Sequence, residues 1–258
     1  MLRLIDTHAH LDETGELDTS LKDAADSGLV AIIAVGSGYG SNQRVLELSQ
    51  QYRGLIFPAL GLHPWQLGQM ESLEVERTLH QIEDNLQQAV AIGEVGLDYQ
   101  KRVREAASKE RQQAILRELL ELAAKHDMPV AIHSRYAWKD ALTLATESGI
   151  SRAVFHWYTG PSSVLRDILA NGYFISVTPA AEYHAEHRRA AREAPLSQLL
   201  LETDSPVEYG RESRYASTPK DVLRSLKAAA EIKGIEETAI ARQTTENAVR
   251  FFRLPDSL

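Results

Sequence analysis

Eight short apolar runs punctuate the chain, and stretches of helical spacing separate them. The runs are Leu2 to Thr7, Leu29 to Val35, Leu55 to Leu62, Ala89 to Glu94, Pro129 to His133, Arg152 to His156, Gly172 to Val177 and Leu199 to Glu202. They are rich in leucine and β-branched residues and lack the polar alternation of a strand with one wet face. Parallel strands buried on both faces read this way. Between them, Val75, Leu79, Ile82 and Leu86 recur at i, i+4, i+7 and i+11, and Ile115, Leu119 and Leu122 keep the same spacing. Such stripes belong to helices that face a sheet. Asp18-Thr19-Ser20, Ser41-Asn42 and Ser217-Thr218-Pro219 supply helix-start chemistry, and Gly28 and Gly234 fall where helices end. Strand and helix alternating eight times, with no second composition zone, predicts a single α/β domain over 1–258 built as a (β/α)8 TIM barrel. A doubly wound open sheet is the alternative. That fold usually carries a Gly-rich turn after its first strand, where this chain has His8-Ala9-His10.

Seven residues sit where apolar runs give way to polar or Gly-rich stretches: His8, His10, His63, Glu94, His133, His156 and Asp204. In a barrel these positions gather at one mouth, the C-terminal ends of the strands, where catalytic groups of this architecture lie. His8 and His10 are spaced by one residue, so a strand points both imidazoles the same way. Glu94 ends a buried run, which is costly for a carboxylate unless it is paired or ligated, and a carboxylate can bridge two ions. His133 and His156 each read singly as hydrogen-bonded core histidines about as readily as ligands. Two on successive strands, at the same end, favour ligation. Asp204 next to Pro206 could serve as a turn residue, or ligate and accept a proton from water. The chain has no cysteine, so any metal sits on nitrogen and oxygen. Four histidines and two carboxylates suffice for two divalent ions, such as zinc or manganese, with water between them. The expectation is a metal-dependent hydrolase of phosphate esters, amides or esters.

Six runs extend this reading: Ile5-Asp6-Thr7-His8-Ala9-His10-Leu11, Gly61-Leu62-His63-Pro64, Gly93-Glu94-Val95-Gly96-Leu97-Asp98-Tyr99, Ile132-His133-Ser134-Arg135, His156-Trp157-Tyr158-Thr159-Gly160 and Glu202-Thr203-Asp204-Ser205-Pro206. In this order, and through Thr245-Glu246-Asn247-Ala248, the chain closely resembles the TatD-family metal-dependent deoxyribonucleases. The resemblance implies a TIM barrel with a one- or two-metal site. It puts His8, His10, Glu94, His133, His156 and Asp204 at the family's metal-ligand positions and His63 on the substrate side. It further implies DNA, or another phosphoester, as substrate. Trp65, Trp157-Tyr158 and Tyr209-Gly210-Arg211-Glu212-Ser213-Arg214 stand where better-known bacterial members carry a second His, a Cys-Phe pair and an Arg-Gly-Lys segment. Those departures bear on the substrate and leave the ligand set intact.

The leading expectation is a phosphodiesterase acting on DNA from an end, with Glu94 bridging the ions, Asp204 taking the water proton, and Arg135 and His63 orienting phosphate oxygens. An ester or amide hydrolase on the same site, such as one for aminoacyl esters, is the alternative, followed by a partner-binding barrel with a structural ion. Trp65, Tyr99, Trp157 and Tyr158 could stack on splayed bases or pack as a lid. Asp6 points to the same side as His8 and reads as a buried helper of that ligand. The opening Met1-Leu2-Arg3-Leu4-Ile5-Asp6 puts charge inside what would be a signal peptide's apolar core, and no run reaches the length of a membrane span. The absence of cysteine suits a reducing cytoplasm. No membrane association and no obligate protein partner are expected. A net charge of −8 argues against a general nucleic-acid coat and leaves a nuclease open. His80, His126, His184 and His187 receive no role, and Tyr183 to Arg192 reads as a solvated face.

Overall fold

A computed structural model describes residues 2–255 and 258. Eight strands form one sheet in sequence order: β1 (Leu4–Ala9), β2 (Leu29–Val35), β3 (Ile56–Leu62), β4 (Ala91–Gly96), β5 (Val130–His133), β6 (Ala153–Phe155), β7 (Phe174–Val177) and β8 (Leu199–Leu201). Every neighbouring pair from β1 to β8 is parallel. Among the described residues ten α-helices accompany them: α1 (Leu17–Asp26), α2 (Tyr39–Gln51), α3 (Ser72–Asp84), α4 (Lys101–Ala106), α5 (Lys109–His126), α6 (Trp138–Glu147), α7 (Ser162–Ala170), α8 (Ala185–Glu193), α9 (Val222–Lys233) and α10 (Glu237–Phe252). The expected (β/α)8 barrel is the observed architecture. The ends of the sheet meet through the backbone of the candidate ligands themselves. The Asp204 N–H donates to the His8 carbonyl at 2.8 Å, and the His10 N–H donates to the Ser205 carbonyl at 2.7 Å. Among the described residues, no helix is long and apolar enough to cross a membrane.

The two-faced apolar strands predicted from sequence are explained by two cores. Ile5, Ala31, Ile33, Val35, Ala59, Ala91, Ala131, Val154, Phe174 and Leu200 form an inner cluster. The alternate positions, such as Leu4, Ile32, Leu60, Ile92, Ile132, Phe155, Ile175 and Leu199, pack with the helices in an outer cluster. Ala248, Phe251, Phe252 and Leu254 join the inner cluster, so α10 covers the N-terminal end of the barrel. That leaves the C-terminal end as the mouth. Gly234 ends α9 at φ 64, a conformation that favours glycine. The helix start expected at Ser217-Thr218-Pro219 is observed with Pro219 in the first turn, and Thr218 and Asp221 form a capping box there.

Local reading misplaced three features. Asn42 is not a helix-start residue: it is fully buried inside α2, accepts the Gly61 N–H at 2.9 Å and donates to the Gly61 carbonyl at 3.0 Å. The run Tyr209 to Arg214, read only as a departure bearing on the substrate, belongs to a small antiparallel ribbon, β9 (Glu208–Tyr209) with β10 (Tyr215–Ala216). Tyr209 is buried there and donates to the Thr203 carbonyl at 2.7 Å.

His187, the third, is fully buried on a helix whose other residues are largely polar. Its Nδ1 meets the Tyr158 carbonyl at 3.0 Å and its Nε2 accepts the Thr178 N–H at 3.0 Å, which requires the neutral Nδ1–H tautomer. Burial, reinforced by nearby His184 and His156, lowers its pKa to about 4. The unfolded chain therefore takes up this proton below pH ~6.5 while the folded one stays neutral until about pH 4. Stability contributed by neutral His187 is complete above that window and is lost as pH falls through it, by about 3 kcal/mol in total. Urea titrations at pH 7 and pH 4.5 should show the wild type losing more than His187→Gln by about 2–3 kcal/mol. Equal losses in both proteins would remove this role.

Candidate metal centre

The mouth of the barrel converges on one carboxylate. Glu94 lies inside β4, 2 % exposed, and β3 approaches it closely: a Cβ on Gly61 would sit 2.4 Å from both the backbone nitrogen and oxygen of Glu94. On the other flank, a Cβ on Gly96 would lie 1.9 Å from the His133 carbonyl oxygen. Glycine at both positions lets β3 and β5 close in around the acid.

The two oxygens of Glu94 face different nitrogens. His8, on β1, and His10, just after it, place their Nε2 atoms 3.3 Å from Oε2. His133 at the end of β5 brings Nδ1 to 2.8 Å from Oε1, and His156 just after β6 brings Nε2 to 2.7 Å from the same oxygen. His63, following β3, has Nε2 at 3.4 Å from Oε1. Asp204 completes the first side, with Oδ1 3.6 and 3.5 Å from the Nε2 atoms of His8 and His10. All seven residues singled out by sequence therefore meet in one cluster, and Arg135 lies exposed on its rim, two residues beyond His133.

The donor set fits divalent cations. Both ring nitrogens of His8, and Nδ1 of His10 and of His156, are buried without a hydrogen-bond partner. Buried polar atoms are normally satisfied, and imidazole nitrogens beside carboxylates are standard metal donors. His8, His10 and Asp204 have ligand atoms close enough to hold one ion, as do His63, Glu94 and His133, and also His8, His156 and Glu202. His63 nevertheless differs from the others. Its Nδ1 accepts the Trp65 N–H at 3.2 Å, so in the neutral ring the proton sits on Nε2. A nitrogen that carries a proton cannot ligate, and His63 is thereby a donor aimed into the site.

Electrostatics agree with that division. Burial disfavours charge on Glu94, but the imidazoles of His156, His63 and His8 outweigh it and hold the carboxyl well below its usual range. Burial likewise opposes charge on Asp204, and His10 and His8 hold it low. Burial would lower His10, but its bonds to Asp204 and Glu94 raise it. For His63 burial prevails over Glu94 and brings the pKa down to about 4, so the ring is neutral near pH 7.

Two supporting carboxylates were not recognised in the sequence. Asp98 is fully buried, and its Oδ2 lies 3.2 Å from Nε2 of His133, the nitrogen turned away from Glu94. Glu202 is also buried, with Oε1 3.5 Å from Nδ1 of His156 and accepting the Trp157 N–H at 3.0 Å. A hydrogen-bonded carboxylate such as Asp98 orients a ligand ring and raises its basicity, whereas Glu202 acts on His156 by charge alone. The available signal was a carboxylate directly after buried leucine, at Leu97-Asp98 and Leu201-Glu202. Asp6 is the buried helper expected: it accepts the N–H groups of Thr203 and His8 at 2.9 and 3.3 Å, tying β1 to the end of β8.

The aromatic residues at the mouth separate into two kinds. Tyr158 is fully buried and donates to the Pro161 carbonyl, Tyr99 donates to Asp140, and the ring of Trp157 packs 5.4 Å from that of Tyr209. Trp65 stays 52 % exposed. Arg211 is held by the Tyr183 carbonyl at 2.7 Å. A groove of about 1080 Å³ lies beside α10, lined by Leu2, Arg3, Arg242 and Arg250 among others. It is remote from the imidazole–carboxylate cluster, and the chemistry of the donor set decides in favour of the mouth.

Comparison with known proteins follows the same lines. A family model described as TatD related DNase matches residues 5–253. The chain is 32 % identical to human deoxyribonuclease TATDN3 over 96 % of its length and 94 % of the relative's. It is 31 % identical to the Escherichia coli metal-dependent hydrolase YjjV, over 98 % and 99 % of the two chains. The crystal structure of E. coli YjjV, described as a TatD homologue, superposes with a TM-score of 0.88 at 30 % identity, covering 98 % of each chain. A TatD-family hydrolase from Entamoeba histolytica shares the fold, with a TM-score of 0.85 at 21 % identity.

Proposed function

The chain belongs to the TatD-related DNase family of metal-dependent hydrolases, and from that premise we propose that it hydrolyses DNA phosphodiester bonds from an end with two divalent ions. The observation that carries the proposal is the division of Glu94: one oxygen faces His8 and His10, the other His133 and His156. One ion would be held by His8, His10, Asp204 and Glu94, and a second by Glu94, His133 and His156. Bound there, the ions lower the pKa of water and offset negative charge developing on the phosphate.

The residues of the chain supply the rest. Asp204, held as a carboxylate beside the mouth, accepts the proton of the attacking water. His63 donates from Nε2–H to a phosphate oxygen, and its neutral state persists down to about pH 4. Arg135 grips a neighbouring phosphate; its side chain is exposed and lies over the Tyr136 ring at 5.8 Å, within the geometry of a cation–π contact. Asp98 holds the ring of His133 in orientation, and Glu202 stands as a negative charge beside that of His156.

Elemental analysis of protein purified without chelator should give about two divalent ions per chain. Exhaustive dialysis against chelator should abolish release of nucleotides from DNA oligonucleotides, and adding back zinc, magnesium or manganese singly should restore it and identify the effective ion. Full nuclease activity in metal-free protein would end the proposal. Turnover of aminoacyl or amide substrates with no phosphodiester cleavage would replace DNA by another substrate on the same centre.

A further inference from the structure

The geometry points to Trp65 as a platform for the base next to the scissile phosphate, held in place by the carboxylate that orients His133. This inference rests on the phosphodiesterase reading above and adds a substrate contact to it. Trp65 combines two properties seldom found together. Half of the side chain stands in water at the mouth, yet its indole N–H donates to Oδ2 of Asp98 at 2.6 Å. Asp98 is itself immobile. Its Oδ1 accepts the Gln100 N–H at 2.8 Å, its N–H donates to Gln112 at 2.8 Å, and Gln112 donates back to its carbonyl at 3.1 Å. The same Oδ2 contacts His133. The indole lies 5.0 Å from the His63 ring, nearly perpendicular to it, and 6.3 Å from the His133 ring.

An exposed aromatic side chain is ordinary on its own. One whose rotamer is fixed by a buried carboxylate, within van der Waals range of a phosphate-side donor, is a rigid apolar surface beside the reacting bond. Ordering it on binding costs little conformational entropy. Every base has a π-face, so stacking on an indole is tolerant of sequence. The other three aromatics considered at the mouth cannot take this role without rearrangement, because their rings or hydroxyls are committed to protein partners. The indole–carboxylate bond also gives stacking a route to the centre, since displacing Trp65 removes a donor from the acid that orients His133.

The test compares two DNA oligonucleotides that differ only in whether the terminal nucleotide carries its base, with metal-loaded wild type, Trp65→Ala and Trp65→Phe. The wild type should prefer the base-bearing end on the order of tenfold in kcat/KM, through KM. Trp65→Ala should lose that preference, its defect being larger on the base-bearing than on the abasic end. Trp65→Phe keeps a ring and loses the donor. It should retain most of the preference, while kcat falls on both substrates if the bond to Asp98 steadies His133. An undiminished base preference in Trp65→Ala overturns the inference and leaves the nuclease reading standing. Absence of cleavage of either oligonucleotide by wild type overturns that reading and the inference with it.

Discussion

Glu94→Gln is expected to lower the rate by on the order of 10³-fold or more and to reduce bound metal, measured side by side as turnover and ion content per chain. The side chain keeps its size, so packing between Gly61 and Gly96 is preserved. What disappears is the negative charge that five imidazoles surround at 2.7 to 3.4 Å. An amide presents one acceptor oxygen and one NH2 group, so it cannot accept on both sides. Of the two proposed ions, one then loses its carboxylate and faces a donor N–H instead. Stabilisation of the transition-state charge by cations is worth several kcal/mol, and each 1.36 kcal/mol is tenfold in rate. Unchanged ion content together with unchanged rate would show that Glu94 does not bridge.

Asp204→Asn should reduce kcat by roughly 10²- to 10⁴-fold, the range for losing a general base. The backbone argues that the variant folds. Asp204 has φ 51, in the left-handed region that asparagine, like aspartate, adopts more readily than other residues with a Cβ. Its N–H bond to the His8 carbonyl, which helps close the barrel, needs no side chain. An amide oxygen can still approach a cation beside His8 and His10 but cannot take a proton. The diagnostic result is a large fall in kcat with most of the metal retained. An equal fall in metal content would assign Asp204 to ligation alone.

Much of the fold was legible because it rests on local periodicity. The β2 bounds expected from sequence, Leu29 to Val35, are those observed, since every residue there is apolar and alternate side chains feed the inner and outer cores. The limits of β1 and β4 were read too early. Leu2 to Thr7 and Ala89 to Glu94 were expected, whereas the strands run Leu4–Ala9 and Ala91–Gly96. A strand reading that ends with the apolar run fails where polar residues remain in the ladder because partners across the barrel satisfy them. Glu94 lies within its strand, and Gly96 still pairs with His133. His187 was missed for the opposite reason. Its neighbours on α8 are charged, and only the Tyr158 carbonyl and the Thr178 N–H, from two other connections, make its position a buried one.

By itself the sequence determined the barrel, the mouth at which chemistry is gathered, and the residue types gathered there. Strand ends in this architecture converge whatever their distance along the chain. Only the tertiary structure decided how those residues divide. It set which oxygen of Glu94 each imidazole faces, gave His63 a proton on Nε2, recruited Asp98 and Glu202, and left Trp65 alone among four aromatics both exposed and anchored. Apart from the His63 tautomer, which the Trp65 backbone two positions on decides, these depend on contacts between residues tens to hundreds of positions apart, as with Asp6 and Thr203 or His133 and Asp98. Periodicity carries no information about such partners, because it reports which face a side chain takes and not which atom it meets there.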